Sequence, residues 1–318
     1  MRKTVQEKPP EKLAEKLAVQ ENLGYGLGLM AVLAFSLTLP ITKYLTPYLS
    51  IWDIGFGRSL LAAIVAVVIL LAYKQPWPSR SQLLKLCIVA SGIAFGFPVL
   101  TALGMQSVPS SHGGVILGGL PLATALVGCF LSGERPSWLF WLVALSGFMA
   151  IALYSMVSAG AATDLALYSG DFALLGAVLF AGLGYAQGGL LAREMGGWQV
   201  ICWTLVVSLP LLLPLTWTYG DWSAFQVLSV SGWAAFAFLA VINSLVGFFF
   251  WYKALALGGV AKISQVQLLQ TFFTFIFAAL WLGEDITLIM VVFLIITLII
   301  VWLSKKIPVT GSPRDTTS

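Results

Sequence analysis

Long apolar segments dominate this 318-residue chain and limit the folds that it can adopt. A helix needs roughly 20 apolar residues to cross the hydrocarbon core of a bilayer. Segments of this kind recur ten times, at 23–43, 51–73, 85–106, 112–131, 137–157, 171–192, 198–218, 231–253, 260–282 and 286–304. Only 9% of the residues are charged, which is far below the level of a soluble domain. We therefore predict an all-α integral membrane protein with ten transmembrane helices.

Lysine and arginine collect on one side of the predicted membrane. Cytoplasmic loops are enriched in these residues, and residues 1–22 are polar and charged without the pattern of a cleavable signal peptide. With the amino end inside, the outer connections carry Lys43 and the acidic residues Asp164, Asp171, Asp221, Glu284 and Asp285. The inner side receives Arg2, Lys3, Lys8, Lys12, Lys16, Lys74, Arg80, Lys85, Arg135, Arg193, Lys253, Lys262, Lys305, Lys306 and Arg314. This pattern predicts a multi-pass protein of the cytoplasmic (inner) membrane with both termini in the cytoplasm.

The second half of the chain repeats features of the first half at an offset of 150 residues. Gly133, Glu134 and Thr124 align with Gly283, Glu284 and Thr274, and the hydropathy profile repeats as five spans and five spans. Because each half has an odd number of spans, the second half must insert upside down. Inverted repeats around a site near the midplane are a common plan of secondary transporters that work by alternating access.

The repeat divides the chain into four predicted parts. These are a cytoplasmic amino-terminal tail (1–22), a first five-helix repeat (23–157), a second, inverted five-helix repeat (158–304) and a cytoplasmic tail (305–318). Leu13 and Leu17 lie one turn apart among charged residues, which fits either a short amphipathic helix at the membrane interface or a solvated tail.

The predicted ninth span carries an unusual number of polar residues on one side. At 100° per residue, Ser264, Gln267, Gln270, Thr271 and Thr274 fall within an arc of about 120°. Polar groups inside a membrane often mark a substrate pathway, although the same side chains also join packed helices by hydrogen bonds. We interpret this stripe as the lining of a substrate site, which Thr38, Tyr185, Asn243 and Trp251 would complete with hydroxyl, amide and aromatic groups.

Four further residues are candidates for structural or gating roles. Arg58 lies inside the second span, where it would pair with Asp53 or with carbonyl groups at a helix end, or contact a substrate carboxylate. Pro121 would bend the fourth span and free a backbone carbonyl. Glu134 and Glu284, at the ends of their helices, would fix loops.

Several classes of function find no support in the residues. The three cysteines are predicted to be reduced thiols, and the single histidine rules out a histidine cluster, so we expect no metal and no cofactor. The basic residues are scattered over short loops, which argues against nucleic acid as a partner. We find no catalytic constellation and therefore expect no enzyme. No carboxylate lies near the middle of a span, which disfavours proton-coupled antiport of cationic drugs.

Three stretches carry a resemblance to a known family. They are "FSLTLPITKYLTPYLSIWDIGFGRSLLAA", "ALGMQSVPSSHGGVILGGLPLATALVGCFLSGERPSW" and "SQVQLLQTFFTFIFAALWLGE". The chain resembles EamA-type members of the drug/metabolite transporter superfamily, with Thr38, Pro40, Lys43 and Arg58 at recurring positions. One departure is Thr271, which stands where many members have a proline that kinks the ninth helix.

The resemblance implies a bundle of ten helices around a central cavity. A protein of this kind would be a secondary transporter, and often an exporter, of small metabolites such as amino acids, aromatic or neutral. Its partners would be a small-molecule substrate and the lipid bilayer, and the protein itself would be a monomer or a homodimer. The alternatives left open are a multidrug, nucleobase or sugar transporter of the same fold, and a channel or a membrane bundle without transport activity.

Overall fold

The computed structural model describes residues 11–108, 110–158, 169–282 and 288–310, and nearly all of them are helical. The α-helices are α1 (Glu11–Phe35), α2 (Thr38–Leu45), α3 (Arg58–Ala72), α4 (Arg80–Ala90), α5 (Phe97–Ser107), α6 (Ser110–Leu117), α7 (Leu120–Ser132), α8 (Trp138–Ser158), α9 (Ser169–Met195), α10 (Gly197–Tyr219), α11 (Trp222–Gln226), α12 (Val230–Ala237), α13 (Gly247–Gly258), α14 (Val260–Ser264), α15 (Leu268–Leu282) and α16 (Leu288–Lys306). Two short strands, β1 (Arg135–Pro136) and β2 (Val309–Thr310), pair antiparallel.

Seven helical stretches of the described chain are long and apolar enough to cross a membrane. They are Glu15–Leu45, Asp53–Ala72, Arg80–Ser107, Gly113–Ser132, Ser169–Met195, Gly197–Tyr219 and Val230–Gly258, and Trp138–Tyr154 is a shorter apolar helix. Each coincides with a predicted span, and the two remaining predicted intervals are occupied by α14 with α15 and by α16. The protein is therefore an all-α membrane protein.

The first helix begins earlier than the sequence predicts. Because α1 runs without interruption from Glu11 to Phe35, its first turns continue the first span instead of forming a separate helix at the membrane surface. Further along α1, Asn22 and Glu21 contact α16 and α14. Lys305 Nζ donates to Asn22 Oδ1 over 2.6 Å, and Lys262 pairs with Glu21 over 3.4 Å. The start of the first span and the end of α16 therefore lie at the same end of the bundle.

Two sets of hydrogen bonds mark the two ends of the bundle. Besides the contacts of α1 with α16, Lys85 pairs with Glu194 at the end that carries most of the basic residues. At the opposite end, Lys43 Nζ donates to the carbonyl oxygens of Met105 and Val108 over 2.8 Å and 3.3 Å. The separation of basic residues in the sequence thus corresponds to a separation in space.

Helix α9 lies at the centre of the bundle, where it packs against α4, α5, α7, α10 and α13. Glycine makes the closest of these approaches possible. A Cβ atom on Gly92 would overlap the carbonyl oxygen of Phe180 on α9, whereas a Cβ atom on Gly26 would meet nothing within 4 Å. Because a backbone carbonyl of a buried helix cannot move far, position 92 requires a residue without a side chain.

Several of the long helices are interrupted by non-α turns. Three segments are π-helical, at Asp53–Gly57, Ser91–Gly96 and Phe238–Val246, and Gln265–Gln267 forms a 3₁₀ turn between α14 and α15. The predicted fourth span breaks at residues 118–119, so that Pro121 lies in the first turn of α7. In the predicted ninth span the irregularity precedes Thr271 by one helical turn. Short π segments are frequent at functional sites, so the residues beside them are candidates for a functional role.

Candidate functional site

An aromatic cluster surrounds Tyr185 near the middle of α9. The Tyr185 ring stacks with Phe35 at 6.3 Å between ring centres and 9° between ring planes. It meets Phe248 and Trp251 of α13 at 5.6 Å each. The cluster forms because α1, α9 and α13 all direct aromatic residues into the same space, and Trp251 and Tyr185 are both buried. It gives the centre of the bundle flat apolar surfaces.

Arg58 brings a positive charge to this cluster. It follows the π segment Asp53–Gly57, is 1% exposed, and interacts electrostatically with Tyr185. Its guanidinium carbon lies 5.8 Å from the centre of the Phe97 ring, a cation–π contact. Its Nε and Nη1 atoms have no hydrogen-bond partner in the part of the chain that the structure describes.

The predicted pairing of Arg58 with Asp53 is not found. Both carboxylate oxygens of Asp53 are engaged elsewhere. Its Oδ2 atom accepts from the backbone N–H and the hydroxyl of Ser50, and its Oδ1 atom accepts from the N–H of Asp221 over 2.9 Å. The physical reason is that a carboxylate at a helix start finds backbone donors nearby, so Asp53 fastens the chain at residues 50 and 221.

The polar stripe of the predicted ninth span divides into two groups. Thr274 donates to the carbonyl oxygen of Ser36 over 2.6 Å, Gln270 to that of Phe35 and Thr271 to that of Gly114, each over 3.4 Å. These bonds attach the helix to its neighbours, which is the packing alternative that the sequence left open.

Ser264 and Gln267 belong to the second part of the stripe. Ser264 donates to the carbonyl oxygen of Ala261 in its own helix. Gln267 is buried, and neither its amide oxygen nor its amide nitrogen has a hydrogen-bond partner among the described residues. Its side chain lies beside the hydroxyl of Tyr185. A buried amide without partners is costly, so this group is a stronger candidate for a ligand contact than the rest of the stripe.

Asn243 and Thr38 form a separate polar contact. The Asn243 side chain donates to the hydroxyl of Thr38 over 2.7 Å and to the carbonyl oxygen of Ala34 over 3.3 Å. Asn243 lies in the π segment Phe238–Val246, and Ser244 in that segment donates to the carbonyl oxygen of Leu239, five residues earlier. Asn243 thus joins the π segment that precedes α13 to the junction of α1 and α2.

Glu134 lies at the end of the bundle that carries the basic residues, with a fully buried side chain. It accepts from Arg193 over 3.0 Å and from the backbone N–H groups of Val260 and Ala261 over 3.2 Å and 3.0 Å. These N–H groups begin α14, so the carboxylate caps that helix and meets its positive dipole end. Its predicted counterpart Glu284 lies outside the described residues.

The comparisons with known proteins agree with this architecture. The model of the EamA-like transporter family matches the chain twice, over residues 22–156 and 168–305. The chain belongs to the EamA-like transporter family. An uncharacterized transporter of Bacillus subtilis (strain 168), YdeK, is 39% identical over 265 residues, which cover 83% of this chain and 90% of YdeK.

The fold also resembles that of a protein whose structure has been solved. One crystal structure of a protein superimposes with a TM-score of 0.69 over 89% of this chain and 96% of that chain, at 16% sequence identity. That likeness concerns the fold alone. From its family membership, this EamA-like chain is a membrane transporter.

The sequence analysis missed several aromatic residues near Tyr185 and Arg58. Phe35, Phe97 and Phe248 were not singled out, because a phenylalanine in an apolar helix carries no signal that separates a site wall from lipid contact. The Nε1 atom of Trp251, which has no hydrogen-bond partner among the described residues, could not be recognised from the sequence either. A surface pocket of about 270 Å³ lies elsewhere, between Trp77 and Trp203, and contains none of the predicted site residues.

Proposed function

We propose that this transporter is a secondary carrier that exports small metabolites such as aromatic or neutral amino acids across the cytoplasmic membrane by alternating access. The observation that carries the proposal is the unpartnered amide of Gln267 beside Tyr185, at an aromatic cluster that both family-matched segments of the chain build. Polar atoms left unpaired in a membrane interior are expected where a solute completes their hydrogen bonds.

An architecture of ten helices in two inverted halves is supported by the double match to the family model. The irregular turns support it too. The π segments Ser91–Gly96 and Phe238–Val246 fall at corresponding positions when the halves are offset by 150 residues. The break at residues 118–119 falls close to the counterpart of the 3₁₀ turn Gln265–Gln267. We place both termini in the cytoplasm, because α1 and α16 meet at the end of the bundle that carries most basic residues.

Alternating access is supported by hydrogen bonds that join the two halves at both ends of the bundle. At one end, Glu134 of the first half contacts Arg193 and the start of α14 in the second half. At the opposite end, the Asp53 side chain accepts from Asp221, and Tyr44 contacts Ser231 over 3.1 Å. A rocking motion of one half against the other would open these contacts at one end at a time.

The proposed substrate class follows from the composition of the site. Aromatic faces and an amide suit a solute that has an apolar side group and a few hydrogen-bonding atoms. Nucleobases, sugars and a range of drugs have related properties and form the second candidate class. A channel would need an open pathway and no exchange step.

Counterflow in proteoliposomes tests the proposal. Vesicles are preloaded with unlabelled amino acids, nucleobases or sugars, labelled solute is added outside, and transient accumulation is measured. We expect accumulation of an amino acid, reduced by Gln267→Ala and unchanged by Gln106→Ala, because Gln106 is an exposed glutamine at the end of α5. A solute that equilibrates without accumulating above the outside level would contradict the carrier mechanism. Undiminished counterflow in Gln267→Ala would remove Gln267 from the site.

A further inference from the structure

We propose that Arg58 binds the carboxylate of the transported solute, so that the substrates are monocarboxylates with an aromatic or large apolar side group. This inference rests on the proposed function and names the part of the substrate that Arg58 recognises. Its starting point is a cation that is almost completely buried at the central aromatic cluster, with two of its nitrogen atoms unpaired.

The charge of Arg58 lacks a counter-ion in the described chain. None of the described acidic side chains pairs with it, and the nearest carboxylate in sequence, Asp53, is saturated by donors from Ser50 and Asp221. The Phe97 ring offers one aromatic face to the guanidinium, which compensates only a part of its lost hydration. An arginine held in this way attracts an anion from outside the protein.

Other cations of the bundle differ from Arg58 because they have acceptors. Lys43 donates to the carbonyl oxygens of Met105 and Val108, and Arg193 contacts Glu134. Lys262, which is buried, has both the Glu21 carboxylate and the Lys305 carbonyl oxygen within hydrogen-bond distance. These three cations thus have acceptors of their own, whereas the described surroundings of Arg58 provide none to its Nε and Nη1 atoms.

A carboxylate fits the unpaired donors better than other anionic groups of small metabolites do at this position. Guanidinium binds a carboxylate through two parallel N–H···O bonds, here from Nη2 together with either Nε or Nη1. One negative charge also balances the single positive charge of Arg58. Phosphate would bring a further negative charge into the membrane interior, and no second unpaired cation stands near Arg58 among the described residues to neutralise it.

The neighbours of Arg58 indicate what the remainder of the solute must be. Tyr185 lies within electrostatic range of the guanidinium, and its ring contacts those of Phe35 and Trp251, which present flat apolar surfaces. The Trp251 Nε1 donor and the Gln267 amide are also unpaired there. An α-amino acid with a large apolar side chain would match these groups, because the amide oxygen of Gln267 accepts a hydrogen bond from its ammonium group.

Equilibrium binding separates recognition of the carboxylate from a structural role of Arg58. The protein is purified, placed in lipid nanodiscs, and titrated with L-phenylalanine, L-tryptophan and L-leucine and with the carboxamide of each. Variants Arg58→Gln and Arg58→Lys are compared with Lys43→Gln, which removes another cation that already has carbonyl partners. Size-exclusion profiles establish which variants fold.

The wild type should bind at least one acid roughly 10- to 100-fold more tightly than its carboxamide, because hydrogen bonds to charged groups contribute about this much. Arg58→Gln should remove most of this preference, Arg58→Lys should keep a part of it, and Lys43→Gln should leave it unchanged. Equal binding of acid and carboxamide by the wild type would overturn the proposal, and so would a preference that persists in Arg58→Gln.

Three further outcomes also decide the test. If Arg58→Gln does not fold, the comparison of acid with carboxamide in the wild type and in Arg58→Lys decides the matter. If the wild type binds none of the three acids but shows counterflow of a nucleobase or a sugar, the assignment of Arg58 fails while the carrier function stands. If counterflow is absent for every solute, the proposed function itself fails.

Discussion

Replacement of Glu134 should destabilise the protein through the start of α14. In Glu134→Ala, the N–H groups of Val260 and Ala261 lose their acceptor, and both residues are fully buried. A buried polar group left unsatisfied costs about 1–3 kcal/mol, so the two together cost about 2–6 kcal/mol. The lost pairing with Arg193 adds about 1 kcal/mol or less, because the Arg193 side chain is 27% exposed and can be hydrated.

Glu134→Gln should have a smaller effect of the same sign. The amide oxygen of glutamine can accept one of the two N–H groups, but the charge that meets the positive end of the α14 dipole is lost. We expect a loss of about 1–3 kcal/mol for this variant, since one donor stays unpaired and one charge-assisted bond becomes neutral.

Thermal unfolding in detergent, followed by loss of the monodisperse size-exclusion peak, measures these effects. Glu134→Ala should lower the apparent melting temperature by roughly 4–28 °C, since the total loss is about 2–7 kcal/mol and each kcal/mol lowers it by about 2–4 °C. Glu194→Gln is the matched control, because Glu194 pairs with Lys85 at the same end of the bundle with both side chains well exposed, and its loss should be under about 1 kcal/mol. If Glu134→Ala melts together with the wild type and Glu194→Gln, the capping argument is wrong.

Three further substitutions test the packing of the bundle. Gly92→Ala should reduce the yield of folded protein sharply, because its Cβ atom would overlap the Phe180 carbonyl oxygen, whereas Gly26→Ala should fold normally; equal yields on size-exclusion would refute the close approach. Thr274→Val should lower the stability by about 0.5–1.5 kcal/mol through loss of its bond to the Ser36 carbonyl oxygen, as read from the melting temperature. Asn243→Leu should destabilise by a larger amount, about 1–3 kcal/mol, because the Thr38 hydroxyl loses its donor; an unchanged melting temperature in either variant would contradict these bonds.

Seven of the predicted spans coincide with apolar, membrane-length helices of the described chain, and the reason is physical. A membrane helix needs an apolar run of a minimum length, and such a run consists of consecutive residues that can be recognised without knowing the fold. Lysine and arginine add a second local signal, and residues such as Lys85, Arg193, Lys262 and Lys305 do gather at one end of the bundle. The polar stripe was visible for the same reason, since 100° per residue fixes which side chains share a face.

Partners distant in sequence could not be predicted in this way. Asp53 stands five residues before Arg58, which favoured a local ion pair, but its carboxylate binds the N–H group of Asp221, 168 positions away. The stripe itself could not be divided from the sequence. Whether Thr274 binds a carbonyl group, and whether the Gln267 amide has a hydrogen-bond partner among the described residues, depends on which neighbouring helix faces each residue.

The π segments and the 3₁₀ turn were also beyond prediction. Proline is the residue that most often marks a kink, and its replacement by Thr271 left the ninth span without a visible signal. The structure has its 3₁₀ turn at Gln265–Gln267, a stretch without proline or glycine. The three π segments likewise contain no proline. One of them, Ser91–Gly96, contains Gly92, whose missing side chain allows the close approach of α9.

Because of the π segment Phe238–Val246, the number of residues in this helix determines which way the helix face after it points. Its hydrogen bonds span five residues where an α-helix spans four, so the face that follows is displaced by one position, or about 100°. Deleting one residue there would restore a regular helix and rotate Trp251 away from Tyr185 while every interior side chain kept its chemistry. In an alignment of homologous chains, a one-residue gap at this place would therefore mean that the following helix face is rotated and the residues around Tyr185 are rearranged. The same gap in a surface loop would mean only a difference in loop length.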